Sequence, residues 1–151
     1  MSLKKDRQIV ETSIEFFMDE AATRGIVVVH STSGSGVSQD DTNAKVISPG
    51  ATVSGTDPAG LLLNDVVDID LTRQHINFYK DEVQKGSKVT LLRKGTVTTS
   101  NVSGTPSAGD SAYYNDAGEV TPVVVANSTK VGRFLSAKDA DGYAKIDINI
   151  V

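Results

Sequence analysis

The chain has 151 residues, fifteen Lys and Arg against nineteen Asp and Glu, a formal charge of −4, and neither cysteine nor tryptophan. That length suits one domain, or one domain with an arm, and suffices to bury a core without staples. The missing cysteine excludes disulfides and thiolate metal sites, the scattered bases in an acidic chain argue against a phosphate-backbone partner, and no apolar run approaches the roughly 20 residues of a membrane-spanning helix.

Residues 1–24 read as an N-terminal arm or first strand, and residues 25–151 as a β domain. The opening stretch carries Lys4, Lys5 and Arg7 but no apolar core, so it does not read as a secretory signal. Ile14, Phe16 and Met18 alternate with Glu15, Phe17 and Asp19, which favours a strand. A helix from Thr12, with Ser13 near its cap, is the competing reading, and a short helix over Asp19–Thr23 is compatible with either. Gly25 to His30 is a β-branched run bounded by Gly and Ser, a buried strand. Ser31 to Gly60 has loop chemistry, with one strand expected near Ala44–Ile47. Gly60-Leu-Leu-Leu63 opens a further strand, Val67, Ile69 and Leu71 alternate with polar residues, and Ile76–Lys80 is another strand candidate. At the far end Ala144, Ile146, Ile148 and Ile150 share one face opposite Lys145, Asp147 and Asn149, after a turn at Asp139–Gly142.

One spacing recurs. Gly86, Val89, Leu91, Gly95, Val97 and Thr98 are matched twenty-three positions later by Gly109, Ala112, Tyr114, Gly118, Val120 and Thr121. A weaker copy starts at Gly25, with Val28, His30 and Gly34 in register. Each copy predicts a short strand, a glycine turn and a second short strand. Gly86, Gly95, Gly109, Gly118, Gly132 and Gly142 are accordingly expected at structural turns. Two shorter echoes accompany the repeat: Ile14–Glu20 resembles Ile76–Glu82, and Gly60–Leu63 resembles Gly132–Leu135. The expected fold is mainly β, a small barrel or sandwich of jelly-roll or β-tulip type, built from short hairpins.

Chemistry is sparse. His30 and His75 are the only histidines. His30-Ser31 lacks a nucleophile elbow, and neighbours on a strand face opposite ways. Gly34-Ser-Gly36 has no helix pattern behind it to form a phosphate cradle. Asp139-Ala-Asp-Gly142 begins like a calcium loop but has Ile150 where the twelfth-position carboxylate belongs, and Gln39-Asp-Asp41 is no more complete. Asp65, Asp68 and Asp70 cluster; Asp68 and Asp70, two apart on an expected strand, share a face, a spacing open to a glycosidase carboxylate pair but read as a solvated face. No catalytic residue, cofactor site or metal site is expected.

Lys85–Leu92, Ala108–Thr121 and Val131–Ile146, with Gly60–Val67 in support, resemble the capsid decoration, or cement, proteins of tailed bacteriophages. The resemblance covers about residues 25–151, most strongly 85–146. It implies a non-enzymatic β protein made in the host cytoplasm and carried on the outer capsid surface. It further implies a homotrimer whose partner is the major capsid protein, with no nucleic acid or membrane contact. On that reading the capsid-contact arm comprises Arg7, Ile9, Val10, Ile14, Phe16 and Phe17, adding a strand to a neighbour's sheet edge. The alternative at these residues is that they complete the chain's own core. The rival functions are an adhesion or host-attachment β module and, more distantly, a small ligand-binding barrel or enzyme.

Overall fold

A computed structural model describes residues 3–31, 44–50, 55–65 and 82–150. Among these residues there is no helix, and eleven strands follow one another: β1 (Gln8–Met18), β2 (Ala22–Thr23), β3 (Val27–His30), β4 (Ala44–Ile47), β5 (Pro58–Asp65), β6 (Glu82–Val83), β7 (Lys88–Thr99), β8 (Ser111–Tyr114), β9 (Val120–Thr121), β10 (Gly132–Phe134) and β11 (Ala144–Asn149). The strand reading of Ile14–Met18 therefore holds over the helical one, and no helix forms at Asp19–Thr23. The expected strands at Val67–Leu71 and Ile76–Lys80 lie outside the described residues, as do His75, Gly34–Gly36, Gln39–Asp41, Asp68 and Asp70.

Nine strands form one sheet in the order β1-β4-β3-β5-β7-β11-β10-β8-β9, and β2 pairs with β6 apart from it. The spine is β7. Along one edge it pairs with β1, from Gln8 opposite Thr96 to Phe17 opposite Lys88. Its other edge is shared end to end by β5, over Val89–Leu92, and β11, over Lys94–Thr99. Because β1 also pairs with β4, the contacts β1–β4–β3–β5–β7 return to β1. The remaining four strands run on past this ring, so the fold is mainly β and sandwich-like, not one closed barrel.

Two apolar clusters lie on opposite faces of the central strands. Val27, Val29, Leu61, Leu63, Leu92 and Val97 belong to the first; Ile26, Val28, Leu62, Val89 and Leu91 belong to the second. A strand covered on both faces needs apolar residues at successive positions, which is why Ile26–Val29 and Leu61–Leu63 show no alternation. In contrast, β11 is covered on one face. Ala144, Ile146 and Ile148 are buried there, while Asp147 and Asn149 are exposed. Each fully buried Leu or Ile contributes on the order of 1.5–3 kcal/mol by leaving water. Tyr114 is wholly buried in the first cluster, and its hydroxyl meets the Thr56 hydroxyl at 2.9 Å and donates to the Thr56 carbonyl at 3.1 Å, so its polar tip is satisfied.

The repeated glycine spacing has two different causes. The second copy is a hairpin: β8, a turn at Asn115–Gly118, then β9. Asn115 Oδ1 accepts from the Ala117 and Glu119 amides at 3.0 Å each, and the Gly118 amide donates to the Asn115 carbonyl at 3.0 Å. The first copy is not a hairpin. It lies largely within the single strand β7, and Gly95 sits inside that strand instead of at a turn. Its φ is +146°, and a Cβ there would fall 2.2 Å from the Gln8 carbonyl oxygen. Gly95 is thus a seat for the passing β1 backbone. Gly132 also departs from expectation: it lies in β10, where a Cβ would fall 1.9 Å from the Asp147 carbonyl oxygen. Gly86, Gly109, Gly118 and Gly142 stand at bends between strands with positive φ. In the weak third copy Val28 and His30 lie in β3, while Gly34 is outside the described residues.

Candidate functional site

The segment from Leu3 to Met18 is fastened at both ends and open in the middle. Leu3 is 2 % exposed and belongs to the first apolar cluster. It bridges to Thr99, and the Lys4 amide donates to the Thr98 carbonyl at 2.9 Å. The Lys4 ammonium stands 4.3 Å above the Tyr143 ring, and Lys145 meets Asp6 at 3.2 Å. At the other end Met18 is buried in the second cluster; its amide donates to Ser87 O at 2.9 Å and its carbonyl accepts from Gly86 N at 2.8 Å. Glu20 then fastens the following bend to β4, accepting from the Ser48 amide at 2.8 Å and also from the Ser48 hydroxyl.

Between these anchors Gln8–Thr12, Ile14 and Glu15 are exposed. Ile9 is 51 %, Val10 69 % and Ile14 50 % exposed, large values for branched apolar side chains. Pairing with β7 is irregular here, with register shifts between Ile9 and Glu11, between Glu11 and Thr12, and between Ser13 and Phe16. At the second shift β7 advances from Lys94 to Leu92 for one step on β1, leaving Arg93 as its extra residue. Such bulges add twist and weaken regular pairing.

The six arm residues expected to act together are divided by the structure. Ile9, Val10 and Ile14 form an exposed apolar group. Phe16 is half-buried against the second cluster, with its ring centroid 5.5 Å from that of His30, so it serves the chain's own core. Phe17 is half-buried, and the Lys88 ammonium lies 5.9 Å from its ring centroid. Arg7 is exposed over most of its surface, yet partial burial of its guanidinium and then the charge of Arg24 pull its pKa below the ordinary arginine value. The segment is also not a detached arm. One edge of its backbone is already paired with β7 from Gln8 to Phe17, across the three shifts.

Its other edge is different. At Phe16 and Phe17 β1 pairs with both β7 and β4, so those two strands lie on opposite edges. Among the described residues the β4 partner extends over Phe16–Met18. Every other described strand of more than two residues has a neighbour on each side. Among the described residues, Gln8–Glu15 is thus the one long stretch of strand with an unpaired edge.

A second exposed apolar group, missed in the sequence, is Val123 at 65 % and Val124 at 50 %. The chain turns back just beyond it at Val125–Ser128, where Ala126 and Asn127 have φ of +45° and +61° and the Ser128 amide donates to the Val125 carbonyl at 2.9 Å. Two positive-φ residues inside one hydrogen-bonded turn are the type I′ pattern. Pro122 and Asn127 were the available signals.

Two of the residues considered for chemistry, Ser31 and Asp139, have structural employment. The Ser31 hydroxyl donates to Asp19 Oδ2 at 3.1 Å. Asp139 Oδ1 accepts from the Asp141 and Tyr143 amides at 2.9 Å each, so this carboxylate shapes the turn before β11. Among the described residues no three His, Asp or Glu side chains are grouped to hold a metal ion. No helix there is long and apolar enough to cross a membrane.

Comparison with known proteins places this geometry. No curated protein matches. A solved structure titled as the N base of the head fiber gp8.5 of bacteriophage phi29 shares the fold, with TM-score 0.54 and 13 % identity over 92 % of each chain. The family model described as structural cement protein (E217 gp24/Pam3 gp6) matches residues 6–149, which includes β1. With nearly the whole chain matched, this protein belongs to the phage structural cement protein family.

Proposed function

We propose that this structural virion protein binds the outer face of the capsid and bridges neighbouring capsid-protein subunits, stiffening the expanded shell as a homotrimer. Residues 1–24 supply the main contact, and residues 25–151 form the β decoration domain that presents it. The observation that carries the reading is the exposed group Ile9, Val10 and Ile14, held on a strand anchored at both ends. Apolar area fixed in that way is available for a partner without an ordering cost at the moment of binding. A ligand of the expanded shell that ignores separated subunits stabilises the shell by mass action, and repeated engagement on one lattice adds avidity.

Co-sedimentation tests it. The protein is expected to pellet with purified expanded shells, to leave compact precursor shells unbound, and to raise the melting temperature of the expanded shell. The triple substitution Ile9→Lys, Val10→Lys, Ile14→Lys should abolish pelleting while the free protein melts as before. Equal binding to both shells, or wild-type binding by the triple variant, contradicts the reading. Sedimentation equilibrium tests the homotrimer. Retention on host-surface glycans without shell binding would favour the adhesion alternative.

A further inference from the structure

We propose that the outer edge of Gln8–Glu15 receives an extended segment of the capsid protein by strand addition, so that the cement protein is the acceptor of the strand. This deepens the proposed function and rests on it. An arm that donates a strand must have a free backbone, and β1 does not: β7 occupies its inner edge, and Leu3 and Met18 are buried at either end. What remains unpaired among the described residues is an edge already in strand conformation, and such an edge is a template for an extended backbone. The molecule shows the same arrangement within itself. One edge of β7 is filled end to end by β5 and β11. The outer edge of β1 is filled by β4 over Phe16–Met18, and the length over Gln8–Glu15 would be completed by the incoming segment.

Side chains specify the occupant. Gln8–Glu15 carries Ile9, Val10 and Ile14, no base, and two acids: Glu15, and Glu11, whose half-exposed carboxylate lies 3.9 Å from the Lys94 ammonium of β7 and remains open to a further partner. The segment that fits sets Lys or Arg opposite Glu11 and Glu15 and apolar or β-branched residues opposite Ile9, Val10 and Ile14, because directly opposed pairs of unlike charge or of apolar side chains stabilise a sheet. The same charges disfavour a second copy of this chain. Antiparallel pairing centred on Ser13 sets Glu11 against Glu15 of the copy, and parallel pairing in register sets each glutamate beside its twin.

Hydrogen exchange read by mass spectrometry on the full chain, free and bound to purified expanded shells, decides the matter. In the free protein the amides of Gln8–Glu15 should fall into two classes, those bonded to β7 exchanging slowly and the outward ones fast. Binding should slow the fast class by roughly tenfold or more. Glu11→Lys with Glu15→Lys should weaken shell binding about tenfold, whereas Asp139→Asn, remote in sequence and confined to its own turn, should not. Shell binding with the fast class unchanged overturns strand addition but leaves the cement reading standing. Absence of shell binding overturns both. Slow exchange of all these amides in dilute free protein overturns the proposal, since the edge is then already covered. So does protection that appears on concentration alone with a rise in mass, which would assign the edge to a second copy.

Discussion

Two strands flank β7 on opposite edges and are held in different ways. The register of β11 runs from Ala144 opposite Thr99 to Asn149 opposite Lys94 without a shift, and its alternate residues are buried. The register of β1 shifts three times, and most of its length is exposed. Regular pairing plus one covered face makes β11 part of the core. Irregular pairing between two anchors makes β1 a surface element kept in extended form. The contrast implies that substitutions along β11 and its neighbours change stability, while those in the middle of β1 change binding and leave stability alone.

The largest effect to break this contrast lies beside β11. Phe134 is fully buried and pairs opposite Ile146. Phe134→Ala should cost about 3–5 kcal/mol, whereas Ile14→Ala, at a half-exposed site, should stay within about 0.5 kcal/mol. Urea unfolding with a shared m-value measures both. Comparable losses would mean that β1 is as much a part of the core as β10 and β11.

Gly95 and Gly118 come next, because they lock opposite kinds of neighbour. A valine at either suffers from the positive φ, about 1–3 kcal/mol, and from the backbone approached: Gln8 O at 2.2 Å from the Cβ of residue 95, Val27 O at 2.7 Å from that of residue 118. Gly95→Val should lift the start of β1, making residues 3–15 the first site of limited proteolysis. Gly118→Val should lower the melting temperature without opening that site, since it undocks the β8–β9 turn from β3 and breaks the 2.8 Å bond from the Val27 amide to the Gly118 carbonyl. Equal tolerance of valine at both positions in thermal melts would contradict the seating of these glycines.

How much of this was legible varies by element for physical reasons. The β11 alternation and the strand at Ala44–Ile47 could be read directly, because one-sided burial and loop boundaries leave a pattern in the residues themselves. The first glycine repeat was misread as a hairpin because glycine serves two purposes, positive φ at a turn and space for a crossing chain, and spacing alone does not tell them apart. Gly95 and Gly132 are of the second kind, as is Gly60, where a Cβ would stand 2.9 Å from that of Leu91. The echo of Gly60–Leu63 in Gly132–Leu135 therefore reflects close backbone approach at the start of a strand, not a turn. In β1 the period of two holds only at its end, where Phe16 and Met18 meet the second cluster; over Gln8–Glu15 the exposed apolar residues fall at 9, 10 and 14 without a period. Phe16 and Ile14 looked alike in the sequence; among the described residues Phe16 has a β4 partner and packs on the second cluster, while Ile14 stays half-exposed.

The smallest effect concerns how firmly the first anchor holds. Leu3 is buried in the main cluster, and among the described residues this end meets β7 before Gln8 through the Leu3–Thr99 bridge and the Lys4 amide. The Asp6–Lys145 contact is between side chains 71 % and 42 % exposed, where solvent screening leaves little net energy. Leu3→Ala should therefore cost about 2 kcal/mol, at the low end for a buried leucine because a chain end relaxes into the space, and Asp6→Asn should be neutral within about 0.5 kcal/mol. If Leu3→Ala frees the strand, exchange of the Gln8–Thr12 amides should accelerate while those of Phe16–Met18, fixed by β4 and Ser87, keep their rates. Uniform acceleration from Gln8 to Met18 would instead show one cooperative strap, and the opposition between a rigid β11 and a β1 anchored separately at its two ends would have to be abandoned.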